Sequence, residues 1–461
     1  MGSSFSLAIT YNGDIYSFGD NTFGQLGIGS TVSQRQPRLL SCETVFDGHD
    51  VVMVSAGNDH SSCVTSDGSV WLWGFNLEPA LGLGDLVNRL APVRIQPVYF
   101  NNSPVLMVAC GCAFTMVLTT SGRVWTCGSG HLGMLGHGDQ DDRNTLTEIA
   151  PGRFGNLEIG MIAVGAEHSL AITRETGILF TWGSNGGGEL GLGYYSNFVT
   201  IPSSISPADF DGAGIASMSA SWEYSMIVTM EGVLWACGKS IPGTGAIDTR
   251  STKMLRIGGS EVFGEGGVRM ITCSRKFAMI VGCDGAVWCT QRLEFRRPVV
   301  SNQAVPDNIL RPWMLPRSLF NNEDIIVASA STTHCSVVTR SGRLYTWGAT
   351  VEEENIIALG YNVPLYGINV PPYGNWWPRA IKKSVFRKVA IGRWHAMTQE
   401  RAEAFVMGRH SEFAAVGGET AYSDEKFKDE VLRNMMQDLF LFRVSKAAST
   451  GMKNLLGHAP S

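Results

Sequence analysis

The sequence predicts an all-β protein built as a closed array of repeated four-stranded units. Three observations carry that prediction. The first is a pattern: Gly-x-x-His, an apolar strand ending in Thr, a Gly turn, and an aromatic strand ending in Trp-Gly. It reads Gly57-Asn58-Asp59-His60, Thr65, Gly68 and Val70-Trp71-Leu72-Trp73-Gly74. It returns as Gly165-Ala166-Glu167-His168, Thr173, Gly177 and Phe180-Thr181-Trp182-Gly183, and again as His334, Thr339, Gly342 and Tyr345-Thr346-Trp347-Gly348. The second is its period. The closing Gly falls at Gly19, Gly74, Gly128, Gly183, Gly238, Gly348 and Gly408, with Thr290 in its place between Gly238 and Gly348. Successive spacings are 55, 54, 55, 55, 52, 58 and 60 residues. A second column, Phe5, His60, Phe114, His168, Tyr224, Phe277, His334 and His395, keeps the same register. The third is composition: 54 Gly and only 17% charged residues suit many short strands joined by tight turns. A unit of this length cannot bury its own apolar face, so neighbours must stack. One array then spans 461 residues that would otherwise suggest two or three domains.

Each unit divides into four strands. In the clearest copy, Val51 to Ala56 is an apolar strand, Ser61 to Thr65 the next, and Asp67-Gly68 turns into Val70 to Trp73. Asn-Gly and Asp-Gly between alternating runs are hairpin signals because the turn needs positive φ. Asn12-Gly13, Asp67-Gly68 and Asp284-Gly285 fit, and Ser121-Gly122, Glu231-Gly232 and Ser341-Gly342 fill the same slot. A Gly-rich loop follows the aromatic strand: Gly24-Gln25-Leu26-Gly27-Ile28-Gly29, then Leu81 to Gly84, Leu135 to Gly138 and Glu189 to Gly193. A Pro-led fourth strand, as in Pro92-Val93-Arg94-Ile95, closes the unit. Trp73, Trp182 and Trp347 are expected in equivalent buried positions.

Composition also excludes. A net charge of −5 argues against general nucleic-acid binding, which needs a basic face. No run of eighteen apolar residues predicts a membrane helix, and no charged n-region with an apolar core precedes Phe5. The ten Cys residues do not read as a disulfide framework. Cys127, Cys237 and Cys289 stand where other units place Trp, and read as small buried hydrophobes in a reducing compartment. No His/Cys pair at ligand spacing accompanies Cys110-Gly111-Cys112, so no metal is expected there.

Phe18-Gly19-Asp20-Asn21-Thr22-Phe23-Gly24-Gln25-Leu26-Gly27, together with Gly-x-x-His-Ser, resembles the regulator of chromosome condensation repeat, with Phe for Trp at the start. Trp182-Gly183-Ser184-Asn185 opens another match. The resemblance covers roughly residues 3 to 408 and implies a seven-bladed β-propeller. Residues 14 to 397 hold seven complete repeats; strands at 4–10 and 403–408 are left over, which suits an overlapping closure, with eight blades as the alternative. The expected domains are a propeller over 1–408 and an extension over 409–461. Within the extension, Phe427, Val431, Met435, Leu439 and Phe442 follow the i, i+4 spacing of an amphipathic helix over about 424–444, with Asp424 as N-cap. Insertions at about 291–324 and 349–380 replace the later Gly-rich loops. The first carries Arg292, Arg296, Arg297, Arg311 and Arg317, and the second Tyr361, Tyr366, Tyr373, Trp376 and Trp377.

No catalytic constellation emerges. His60, His168, His334 and His395 are equivalent repeat positions, expected to bond neighbouring backbone. Ser61 and Ser169 beside them are repeat consensus rather than nucleophiles. The Gly-rich loops lack the Gly-Lys-Ser/Thr ending of a phosphate cradle. No cofactor is expected. What varies lies between the Gly and His columns: Asn58-Asp59, Cys112-Ala113, Ala166-Glu167, Trp222-Glu223, Arg275-Lys276, Thr332-Thr333 and Arg393-Trp394. The repeat puts these turns on one rim. Asp59, Glu167, Trp222, Glu223, Arg275, Lys276 and Trp394 are therefore the candidate partner-binding residues, with an acidic sector at Asp59 to Glu223 and a basic one at Arg275 to Arg393. The resemblance implies acidic contacts of this kind to the small GTPase Ran, at Asp59 and Glu167 by position. The Cys112-Ala113 turn has no acid, and the basic N-terminal tail used on chromatin has no counterpart. The expected function is a non-enzymatic protein-interaction scaffold, monomeric or within a larger assembly, cytoplasmic or nuclear. It would bind a protein partner, and neither nucleic acid nor membrane. The alternative is a guanine-nucleotide exchange factor for a Ran-type GTPase.

Overall fold

The β-strands of the computed structural model follow the repeat register. The structure describes residues 5–95, 97–241, 250–275, 277–291, 312–331, 334–348, 379–380 and 386–391. Among them are seven four-stranded antiparallel sheets. In the second sheet Val51–Ala56 pairs with His60–Thr65, that strand with Val70–Gly74, and that one with Arg89–Arg94. Val54 stands opposite Cys63, Ser61 opposite Trp73, and Leu72 opposite Val93. First strands of neighbouring sheets lie against one another right round the ring and form its inner wall. The fourth strands, such as Gln34–Leu40, are largely exposed outer edges. This is a seven-bladed β-propeller, its blades numbered here from the one containing Phe5–Thr10.

Closure joins the two ends of the array. The first blade takes its innermost strand from far along the chain: Phe386–Ile391 pairs antiparallel with Phe5–Thr10, Leu7 opposite Ala390. Seven blades and an N-terminal strand that waits for a late partner were expected. The partner, however, is Phe386–Ile391, and 403–408 lies outside the described residues, as does the helix expected over 424–444. The insertions prove shorter than the sequence suggested. Trp313–Met314 is the fourth strand of the sixth blade and Arg379–Ala380 that of the seventh. Residues 292–311 and 349–378 lie outside the described residues.

Gly13, Gly68 and Gly285 hold φ of 76°, 79° and 79°, as their hairpins require. One repeated element was not foreseen. Among the described residues, a short helical turn links the fourth strand to the next blade six times and ends in a buried Phe: Phe46, Phe100, Phe154, Phe210, Phe263 and Phe320. Most of these meet the second residue of the following aromatic strand edge-on. Phe46 lies 5.4 Å from Trp71, Phe100 5.8 Å from Trp125, Phe154 5.3 Å from Phe180 and Phe263 5.7 Å from Trp288, at 87–89°. Edge-to-face pairing of this kind adds about 0.5–1.5 kcal/mol beyond the area buried.

Candidate protein-binding rim

The turns joining first to second strands lie on the face that carries the Gly-rich loops, since His60 pairs with Gly74 and the loop departs from Gly74. What the recurring groups of the repeat do on this face decides what is left for a partner.

Each of the first four Gly-rich loops aims one backbone carbonyl at the next blade, and two donors meet there. Gln25 O accepts from Ser61 Oγ (2.7 Å) and Trp73 Nε1 (2.9 Å). Ala80 O accepts from Thr115 Oγ1 (2.6 Å) and Cys127 Sγ (3.4 Å). Met134 O accepts from Ser169 Oγ and Trp182 Nε1 (both 3.0 Å). Glu189 O accepts from Ser225 Oγ (2.8 Å) and Cys237 Sγ (3.2 Å). Cys127 and Cys237 are thus more than the small hydrophobes the sequence suggested: their thiols stand in for an indole N–H. Burial pushes both thiols far above their usual range, which keeps them protonated donors. The glycines of the loop let the next blade approach. A Cβ on Gly27 would sit 2.8 Å from Trp73 Nε1, and one on Gly136 2.7 Å from Trp182 Nε1.

The His column latches blades together. His60 Nε2 lies 3.0 Å from Thr115 Oγ1, His168 Nε2 2.8 Å from Ser225 Oγ, and His334 Nε2 2.9 Å from Ser6 Oγ. The partner is a hydroxyl of the following blade, not the neighbouring backbone that was expected. Burial lowers the pKa of His60 and of His168 to about 4, with nearby Glu189 opposing the shift at His168. A neutral imidazole in this setting is a structural bond. The Gly-rich loops also use their own polar groups. Asn21 donates through Nδ2 to Ser30 O (2.7 Å) and accepts from Leu26 N (2.9 Å), and Asn76 and Asn185 repeat the device.

Those variable turn residues that the structure describes stand at the inner rim. Backbone bonds run from turn to turn: Asn58 N to Gly111 O (3.3 Å), Cys112 N to Ala166 O (3.4 Å) and Ala166 N to Ser221 O (2.9 Å). Asp59, Glu167, Trp222 and Glu223 are half-buried there and Arg275 is exposed. Asn58 donates to Asp59 across 2.8 Å. Partial burial raises the Glu167 carboxyl above its ordinary range; His131 pulls it back and Glu189 adds to the rise. The Arg275 guanidinium lies 4.3 Å from the Trp222 ring centroid, a cation–π stack between the fifth and sixth blades. Lys239 Nζ bonds Glu223 Oε1 at 2.8 Å. Arg275, the one described residue of the expected basic sector, thus stacks on an indole rather than an acid, and Glu223 is offset by a lysine of its own blade. Lys276 and Trp394 lie outside the described residues. Among those described, no group of three or more His, Cys, Asp or Glu is placed to hold a metal, and no helix is long and apolar enough to cross a membrane.

The sequence matches the RCC1-like domain over residues 1–290. It is 33% identical over 242 residues to the ultraviolet-B receptor UVR8 of Arabidopsis thaliana, covering 52% of each chain. It is 34% identical over 208 residues to the probable E3 ubiquitin-protein ligase HERC3 of Homo sapiens, covering 44% of this chain and 19% of that protein. The chain thus matches about half the length of the first relative and about a fifth of the second. Among solved structures, human WBSCR16 superposes with a TM-score of 0.66 at 19% identity, over 86% of this chain and 97% of that one. Prp20p of Saccharomyces cerevisiae, described with its binding properties to Gsp1p and histones, superposes with a TM-score of 0.65 at 17% identity, over 89% and 97%. At these identities the structures bear on the fold alone.

Proposed function

Because this chain belongs to the RCC1-like domain family, we propose that its propeller is a non-enzymatic scaffold that presents the inner rim of its Gly-loop face to a protein partner. The observation that supports this reading is the division of labour on that face. The repeat's histidines, hydroxyls, indoles and thiols bond one blade to the next, whereas Asp59, Glu167, the Trp222–Arg275 stack and the Glu223–Lys239 pair differ from turn to turn. A half-buried Trp capped by Arg is the composition of an interface hot spot, worth about 2 kcal/mol or more when truncated. By the repeat spacing of the sequence alone, Lys276 and Trp394 would extend the same rim. Capture of partners from cell extract tests it. Trp222→Ala with Trp394→Ala is expected to release the partner. If it stays bound, and deleting residues 361–377 releases it instead, the rim is not the binding surface.

A second reading is guanine-nucleotide exchange on a Ran-type GTPase. It is favoured by the acids at Asp59 and Glu167, and by Prp20p, which is described with its binding properties to Gsp1p as well as to histones. Its mark is release of a fluorescent nucleotide by substoichiometric protein, which a passive scaffold does not cause.

A further inference from the structure

The Gly-loop face carries a second feature, away from the inner rim. On the second blade the loop between third and fourth strands presents Leu77, Leu86 and Val87, which are 62%, 48% and 61% exposed. Asn76 gathers them by donating through Nδ2 to Asp85 O (2.8 Å) and Val87 O (3.3 Å). Leu90 reaches over the first blade, where a Cβ on Gly24 would lie 2.6 Å from its Cδ2. At the start of the loop Phe75 meets Phe23 of the first blade edge-on, ring centroids 4.9 Å apart. The third blade's matching loop carries His131, Asp139, Gln140 and Asp141 instead. Scattered exposed aliphatics are ordinary, whereas a gathered set marks a surface that something covers.

We propose that this patch seats the chain's own segment 424–444, laid down along the stripe of Phe427, Val431, Met435, Leu439 and Phe442. The exit of the chain points to that occupant. Ile391 pairs with Ser6, at the end of the first blade where Phe5 pairs with Gly19 and the Gly-rich loop begins. Ile391, the last described residue, therefore lies at this face, beside the second blade. Four strands at roughly 4.8 Å spacing put the outer edge of a blade about 15 Å from the inner wall. The 33 residues from Ile391 to Asp424 reach on the order of 30 Å even as a flexible coil. From Phe427 to Phe442 a helix rises about 22 Å, long enough to lie across the seam of two blades. Docking within one chain also benefits from a high effective concentration. The segment would lie next to Asp59, whose carbonyl accepts from Phe75 N at 2.9 Å, and so would screen the second blade's part of the rim. This goes beyond the scaffold reading and does not depend on it.

Amide hydrogen exchange on the full chain tests the docking. Residues 424–444 are expected to exchange about tenfold or more slower than an unstructured peptide. Leu77→Asp with Val87→Asp should return them to the unprotected rate. Both positions are exposed, so the propeller stays folded, which unchanged exchange of the inner strands would verify. Phe427→Asp with Leu439→Asp should give the same loss from the other side. Unprotected exchange in the parent chain, or protection that survives the patch substitutions, overturns the proposal. Protection that grows with protein concentration overturns it too, and assigns the patch to a second copy.

Discussion

His60 is fully buried, its Nε2 3.0 Å from Thr115 Oγ1, and burial alone takes its pKa from 6.5 to about 4. The folded chain keeps this imidazole neutral while the unfolded chain protonates it below pH 6.5. Its contribution is therefore complete above pH 6.5 and is lost as the pH falls towards 4. The loss is about 1.4 kcal/mol per pH unit, on the order of 3 kcal/mol in all. His168 acts in the same direction. In the third blade Phe114 fills the equivalent position, so Phe is the replacement the repeat itself offers for His60. Denaturant midpoints between pH 7 and 4 should fall less steeply for His60→Phe than for the parent, although both also protonate carboxylates. Parallel curves would mean that the folded protein already carries the proton, and the latch as described would be wrong.

At the scale of the element, each described linker turn adds one large buried ring to a core built mostly from strands. Phe154 is 2% exposed and meets both Phe180 and Trp182, at 5.3 and 5.9 Å. Phe154→Ala should cost about 3–5 kcal/mol by opening a cavity there, read as a lowered denaturation midpoint with an unchanged slope. An unchanged midpoint would show that the seam packs without it. This column was present in the sequence at the repeat spacing but went unread, because the residues that follow it vary between Asp-Gly, Asn-Asn and Gly-Asn. What these pairs share is a backbone state: Asp47, Asn101, Gly155, Asp211 and Asn321 all hold positive φ. The strands and hairpins were legible because apolar alternation and turn glycines leave a direct trace. The shared carbonyls were not, since a backbone acceptor has no letter of its own. The rim was legible as a location through the column spacing. Its chemistry was not, because Trp222 and Arg275 meet across two blades and Lys239 reaches Glu223 from another strand.

For the whole molecule the deciding seam is the one between the ends of the array. Phe386–Ile391 covers the edge of Phe5–Thr10, and His334 bonds Ser6 across a sequence separation of 328 residues. A chain ended at Val385 would leave that fully buried strand with a bare edge. It should lose the single cooperative unfolding transition of the parent and associate at micromolar concentration, followed by calorimetry and light scattering. A sharp transition at the parent's temperature would show that the other six blades hold the ring unaided. The same seam sets a timetable for biosynthesis. At about 5–20 residues per second a ribosome needs roughly 20–80 s to get from Phe5 to Phe386. Throughout that interval the first strand has emerged and its inner neighbour does not yet exist. The beginning of the nascent chain therefore lacks its edge partner until almost the last of the propeller is made, and yield in a cell is expected to rise with chaperone supply, which co-expression would check.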